Sequence, residues 1–234
     1  MKKIEFTLID EQHAWMDKPI PAVTHMPDWY KDMSSFRDGE KKLRVGGRAT
    51  NQTIKRCIPF MEAMTAGYYI TLPADVVVSK EKDGTSRVNW LTHVDLIATH
   101  DVFQTIGFPM PSEYELLPFK FFNFFIIKTP PGYSSLFVHP INRPDLPFMS
   151  LSGLVDTDTH DVGIHFPFML RKDFEGVIPK GTPIIQVIPI KRDEWKSDAT
   201  KTLKAMESFA KIEKYFSYVT RAYKHLAWHR KIYK

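Results

Sequence analysis

Residues 152–166 read SGLVDTDTHDVGIHF. Asp156, Asp158, His160, Asp161 and His165 fall within ten residues, flanked by apolar positions at strand spacing. A run of this kind suits a metal site, a catalytic base with a neighbour, or a polar turn between two strands. In the following stretch Val162, Ile164, Phe166, Phe168 and Leu170 alternate onto one face. The pattern predicts that Asp156 ends one strand and Val162 begins the next. Asp158 to Asp161 then form the connection, where water and backbone amides satisfy the charges. If the segment is instead extended, Asp156 and Asp158 point to one side, about 7 Å apart, a spacing suited to a common cation or water.

Working outward, strand signals recur on both sides. KIEFTLI (3–9) alternates as a short strand, and the Pro- and Gly-marked chain from 10 to 55 predicts irregular, wrapping structure. GYYITLPADVVV gives a strand, a Pro-marked break and a second strand. KEKDGTSR carries an Asp-Gly turn before RVNWLTHVDLIA, so 74–97 is expected to be a hairpin. FKFFNFFIIK reads as one buried aromatic strand, YSSLFV follows a PPG turn, and KGTPIIQVIPI is a turn and a strand. Seventeen Phe and seventeen Pro against eleven Gly suit a β-rich, loop-rich domain, and 234 residues suffice for a full core. The single cysteine, Cys57, excludes an internal disulfide and a cysteine-based zinc site. It is expected to be a small core residue in a reducing compartment. The first residues, MKKIEFTLIDEQ, turn acidic before any apolar run, so no signal peptide is expected, nor is a membrane span.

The formal charge of +5 is uneven. Residues 196–234 carry a net +7, which leaves the preceding 195 at −2. In that basic tail Phe209, Ile212, Phe216, Val219, Tyr223 and Leu226 step by three and four. The spacing predicts an amphipathic helix of about 30 residues starting near Ala199, packed along the β domain or against a partner helix. No groove-reading motif or stacking module points to specific nucleic-acid readout.

Four segments, in order, resemble the motifs of trimeric deoxyuridine triphosphatases and the related dCTP deaminases, which share the β-clip fold. TAGYYITLPADVVV (65–78) resembles their Ala-Gly-Tyr-Asp-Leu motif and YSSLF (133–137) their Arg-Ser-Ser-Leu motif. GLVDTD (153–158) is similar to Gly-Val-Ile-Asp-Ser-Asp-Tyr, and GTPIIQVI (181–188) to Gly-x-Arg-Ile-Ala-Gln-Leu. The resemblance implies that Asp156 orders a water and that Ser134, Ser135 and Gln186 hold phosphates. Asp158 is implied as a hydrogen-bonding structural residue. It also implies a homotrimer with sites between subunits, and Mg²⁺ if nucleotide hydrolysis is retained. The chain departs from the pattern in four places. Tyr69 replaces the first aspartate, Tyr133 the arginine and Thr159 the tyrosine under the deoxyribose, and the glycine-rich fifth motif is absent. A site that neutralises triphosphate needs those charges, so the departures imply a scaffold without the chemistry and without a cofactor. The wording TIKRCIPF, TPPGYSSLF, NRPDLPF, SGLVDTD and KGTPIIQVIP also resembles an uncharacterised family of phage and bacterial proteins. That likeness implies a phage setting, with virion proteins as partners and the host cytoplasm or virion as location.

A second chemistry competes. His93-Val94-Asp95, with His160 downstream and Arg171 eleven residues later, follows the order of the facial triad and co-substrate arginine of Fe(II)/2-oxoglutarate oxygenases. The segment from Leu91 to His100 reads equally well as strand and turn. The serines lie on no Gly-x-Ser-x-Gly elbow, and no phosphate-binding glycine loop occurs. The expectation is therefore a mostly β protein. An irregular arm (1–59) precedes a β-clip-like barrel or sandwich (60–195), and a basic amphipathic helix (196–234) follows. The expected role is structural or in assembly, with nucleotide-phosphate binding or hydrolysis and the iron oxygenase as alternatives.

Overall fold

A computed structural model describes residues 2–42, 51–200, 206–211 and 222–234. Among them fourteen strands form four antiparallel sheets. The largest sheet orders β11 (Gly153–Val155), β9 (Tyr133–Val138), β14 (Pro183–Lys191), β3 (Tyr68–Thr71) and β2 (Ile20–Pro21). A second orders β10 (Phe148–Ser150), β12 (Phe166–Leu170), β7 (Phe119–Phe121) and β6 (Ile97–Thr99). A third orders β13 (Gly176–Ile178), β4 (Val76–Lys80) and β5 (Ser86–Trp90), and the fourth pairs β1 (Glu5–Leu8) with β8 (Phe125–Lys128). The mostly β class expected from the sequence is the class adopted. The closed barrel is not: each sheet is open, because its strands are short and the chain leaves one sheet for another at polar breaks.

The break in FKFFNFFIIK shows how this happens. Composition reads that run as one strand, yet Asn123 splits it into β7 and β8. Asn123 is 1% exposed. Its side chain accepts from the Phe125 amide at 3.0 Å and donates to the Phe125 carbonyl at 2.7 Å. The side chain thus takes the place of a neighbouring strand, and the two halves pair in different sheets. The expected hairpin forms as β4 and β5, with Val78 opposite Val88 and Gly84 at φ +84° in the turn. It stops at Trp90, short of the expected Ile97, which belongs to β6 in another sheet.

One core joins the sheets. Phe121 stacks on Phe168 at 3.7 Å between ring centroids, and Phe148 meets both edge-on. All three are fully buried, and such pairs add about 0.5–1.5 kcal/mol each beyond the area they bury. The first 59 residues add β1 and β2 to sheets built by later segments.

The tail departs from expectation. Residues 196–200 carry no regular structure, helical residues occur at 206–211 and at Ala222–Leu226, and the chain leaves the helix at Ala227. One 30-residue helix starting near Ala199 is therefore not what the described residues form. Phe209 is 67% exposed, so the expected buried stripe fails at its first position. Ile212, Phe216 and Val219 lie outside the described residues. The tail is tied down further on instead. Lys231 pairs with Glu62 at 2.7 Å, and the Tyr233 ring meets Tyr68 edge-on at 6.0 Å.

Candidate functional site

The quoted segment is a turn. After β11 ends at Val155, the Asp156 carbonyl accepts from the amides of Thr159 (3.1 Å) and His160 (3.0 Å). The turn accommodates the titratable density, since Asp156 and Asp161 face water and Asp158 accepts hydrogen bonds from its surroundings. The second strand starts four residues later than expected. Val162 is 61% exposed, and β12 begins at Phe166. Phe166, Phe168 and Leu170 do share the buried face.

Beneath the turn is a chain of hydroxyls. Ser135 Oγ, Thr157 Oγ1 and Thr129 Oγ1 lie at successive separations of 2.8 Å, and the Thr129 hydroxyl donates to the Tyr133 carbonyl at 2.9 Å. Ser135 and Thr157 are fully buried. β9 and β11 pair with Ser135 opposite Val155, which sets this chain directly under the carboxylates.

Above it, Asp156 and Asp158 converge on one cation, Arg192. Arg192 Nη1 donates to Asp158 Oδ1 at 2.9 Å, to Asp156 Oδ1 at 3.2 Å, to Ser134 Oγ at 3.2 Å and to the Tyr133 carbonyl at 3.1 Å. Its Nη2 donates to the other Asp158 oxygen, which also accepts from the Gly132 amide at 2.9 Å. Ser134 donates to Asp156 at 2.6 Å. The Asp158 side chain is 6% exposed and the Asp156 side chain 64%. Hydrogen bonding from Arg192, followed by that from the Gly132 amide, holds the Asp158 carboxyl down to about 2. The expected same-side placement of the two aspartates is thus met by a turn around a guanidinium rather than by an extended strand around a metal. Lys128 pairs with Asp161 and completes the charged rim.

Sequence reasoning missed Arg192. Its signal lay in register: Lys191 opposes Tyr133, so the next residue arrives beside Gly132, and the Arg192 amide donates to the Gly132 carbonyl at 2.9 Å. The cation absent at position 133 is supplied one strand away.

Gln186 does not join this group. It is fully buried on β14, donates to the carbonyls of Ala63 (2.9 Å) and Ala66 (2.6 Å), and accepts from the Ile141 amide at 2.9 Å. The neighbouring Gly67 has φ +68°, and a Cβ there would stand 2.0 Å from the Val187 carbonyl oxygen, so only glycine fits. Tyr69, in the place of the resembled family's aspartate, is 0% exposed and donates to the Met64 carbonyl at 2.7 Å. Burial pushes its hydroxyl up to about 12.

The residues of the iron alternative stay apart. His93 and Asp95 are exposed in the irregular stretch between β5 and β6, and His160 lies in the turn after β11. Arg171 forms its own pair with Asp173 at 2.8 Å. Among the described residues no group of three or more His, Cys, Asp or Glu side chains is placed to hold a metal ion. No helix among them is long and apolar enough to cross a membrane. Cys57, expected in the core, is partly exposed.

A comparison with protein-family models finds no match, and a search of curated proteins finds no significant relative.

Proposed function

We propose that this chain is a structural or assembly component built on a noncatalytic, dUTPase-like β-clip scaffold, acting as a homotrimer in a phage setting. The observation that carries the noncatalytic part is the Arg192 network. Groups that the resemblance assigns to water and phosphate already have protein partners: Asp156 and Ser134 meet Arg192, which the structural carboxylate Asp158 also holds, and Gln186 is spent on three backbone groups. A phosphate arriving here meets a guanidinium already neutralised by two carboxylates, whereas phosphoryl chemistry needs free positive charge aimed at the transferring group. The phage setting and the trimer rest on the sequence resemblance. In that reading virion proteins are the partners.

Turnover of deoxynucleoside triphosphates with Mg²⁺, compared between the wild type and Asp156→Asn, tests the noncatalytic reading. The expected result is no appreciable hydrolysis by either. Robust turnover abolished by the substitution would make the exposed Asp156 a catalytic base and restore the hydrolase alternative. Light scattering tests the assembly: three chains of 27.2 kDa give about 80 kDa, and a strict monomer contradicts the trimer.

A further inference from the structure

The Arg192 turn is not the only place where the fold gathers chemistry. The N-terminal side of β1 and the far end of β8 face Tyr68 of β3 and Tyr133 of β9 across a pocket of about 420 Å³, and residues 232–234 complete its wall. That volume lies in the range of small-molecule sites. Three tyrosines line it, Tyr68, Tyr133 and Tyr233, together with three lysines, Lys2, Lys3 and Lys234. Among its described lining residues there is no Asp or Glu side chain.

We propose that this pocket binds a small aromatic anion, a planar ring bearing a phosphate or carboxylate. The ring lies against the tyrosines and the oxyanion on the lysines. The aromatic walls are held in place before any ligand arrives. Tyr68 is set edge-on to Phe6 at 5.3 Å and to Tyr233 at 6.0 Å, and its hydroxyl donates to the main-chain oxygen of Lys234 at 3.2 Å. Lys2 places its ammonium 4.1 Å from the Tyr133 ring centre and donates to the Tyr133 hydroxyl. That partner is neutral, and among the described residues no carboxylate pairs with Lys2. Lys3 pairs with Glu5 at 2.9 Å, but both side chains are more than half exposed, and such a pair is readily exchanged for an anionic ligand. An apolar ring alone forgoes the ammonium groups, and a bare anion leaves the tyrosine faces wet. The site therefore selects for both features in one molecule.

Isothermal titration calorimetry with phenyl phosphate and with benzoate tests this, and the tighter of the two identifies the oxyanion. Inorganic phosphate and phenol are expected to bind at least about tenfold more weakly, as is the preferred probe to the Lys2→Ala/Lys3→Ala double variant or to Tyr233→Ala. Should Tyr233→Ala fail to fold, the lysine variant, altered only at exposed side chains, still decides. The proposal is overturned if neither aromatic probe binds, if inorganic phosphate binds as tightly as phenyl phosphate, or if the lysine substitutions leave affinity unchanged.

Discussion

Replacing Gln186 with methionine separates two roles for the same residue. The family resemblance makes Gln186 a ligand contact, whereas its place in the fold makes it a bolt between β14, the end of the helix Ile58–Met64 with the turn after it, and the loop at Ile141. Methionine keeps the length and removes all three hydrogen bonds. At about 1 kcal/mol net per bond the loss is about 3 kcal/mol, and leaving the Ile141 amide without its partner raises it to about 3–5 kcal/mol. A domain of this kind has about 5–15 kcal/mol in total. With a urea dependence of about 2 kcal/mol per molar, the unfolding midpoint drops by about 1.5–2.5 M. Equilibrium urea unfolding followed by tryptophan fluorescence reads this directly. A ligand contact would leave the unliganded protein as stable as before, so a midpoint within about 0.3 M of wild type refutes the reasoning.

Three further outcomes follow from the same geometry. Gly67→Ala forces a Cβ against the Val187 carbonyl in a left-handed backbone and should lower stability by more than about 2 kcal/mol, or prevent folding; a neutral effect in thermal melting contradicts the close approach. Asp158 is depressed from 3.8 to about 2, so its contribution is complete above its unfolded value and is lost as pH falls through about 2. Arg192→Gln should return the Asp158 titration toward 3.8, seen in its carboxyl carbon shift by NMR, and an unmoved titration would remove Arg192 as the cause. His139 is held below 6.5 by burial first and by the Arg143 charge, with Nδ1 accepting from the Ser150 amide at 3.3 Å. Its neutral form is therefore favoured in the fold, and stability should be lost as pH falls below 6.5. His139→Gln should flatten that slope in acid-range melting curves, and equal slopes would exclude His139 as a source.

Local pattern carries far in this chain, but only where the neighbours of a residue are its neighbours in sequence. Alternation located β9, β14 and the hairpin of β4 and β5, because a strand's faces follow from its own period of two and an Asp-Gly turn from its own backbone. The same logic placed Asp156 at a strand end and its charged neighbours in a turn. Pairing across sequence was not legible. That Asn123 divides an aromatic run depends on a side chain standing in for a missing strand, and the apolar residues on both sides of it do not announce it. The tail's 3–4 spacing is real, yet spacing states only which side chains could share a face. Whether they are buried depends on a surface to cover them, and among the described residues Phe209 stays 67% exposed. The candidate site divides along the same line. Its carboxylates and serine were visible as motifs, but its cation was not, because Arg192 reaches Asp158 from 34 residues away through the register of β14 on β9. Gln186 had the spacing of the resembled family, but its three backbone partners were not legible, since only the packed structure determines what a buried amide faces. The sequence alone determined that the chain is mostly extended and where the Asp-Gly and Asp156 turns fall. The tertiary structure decided which charges meet, because electrostatic partnership depends on distance in space, and that distance is set by strand register and burial.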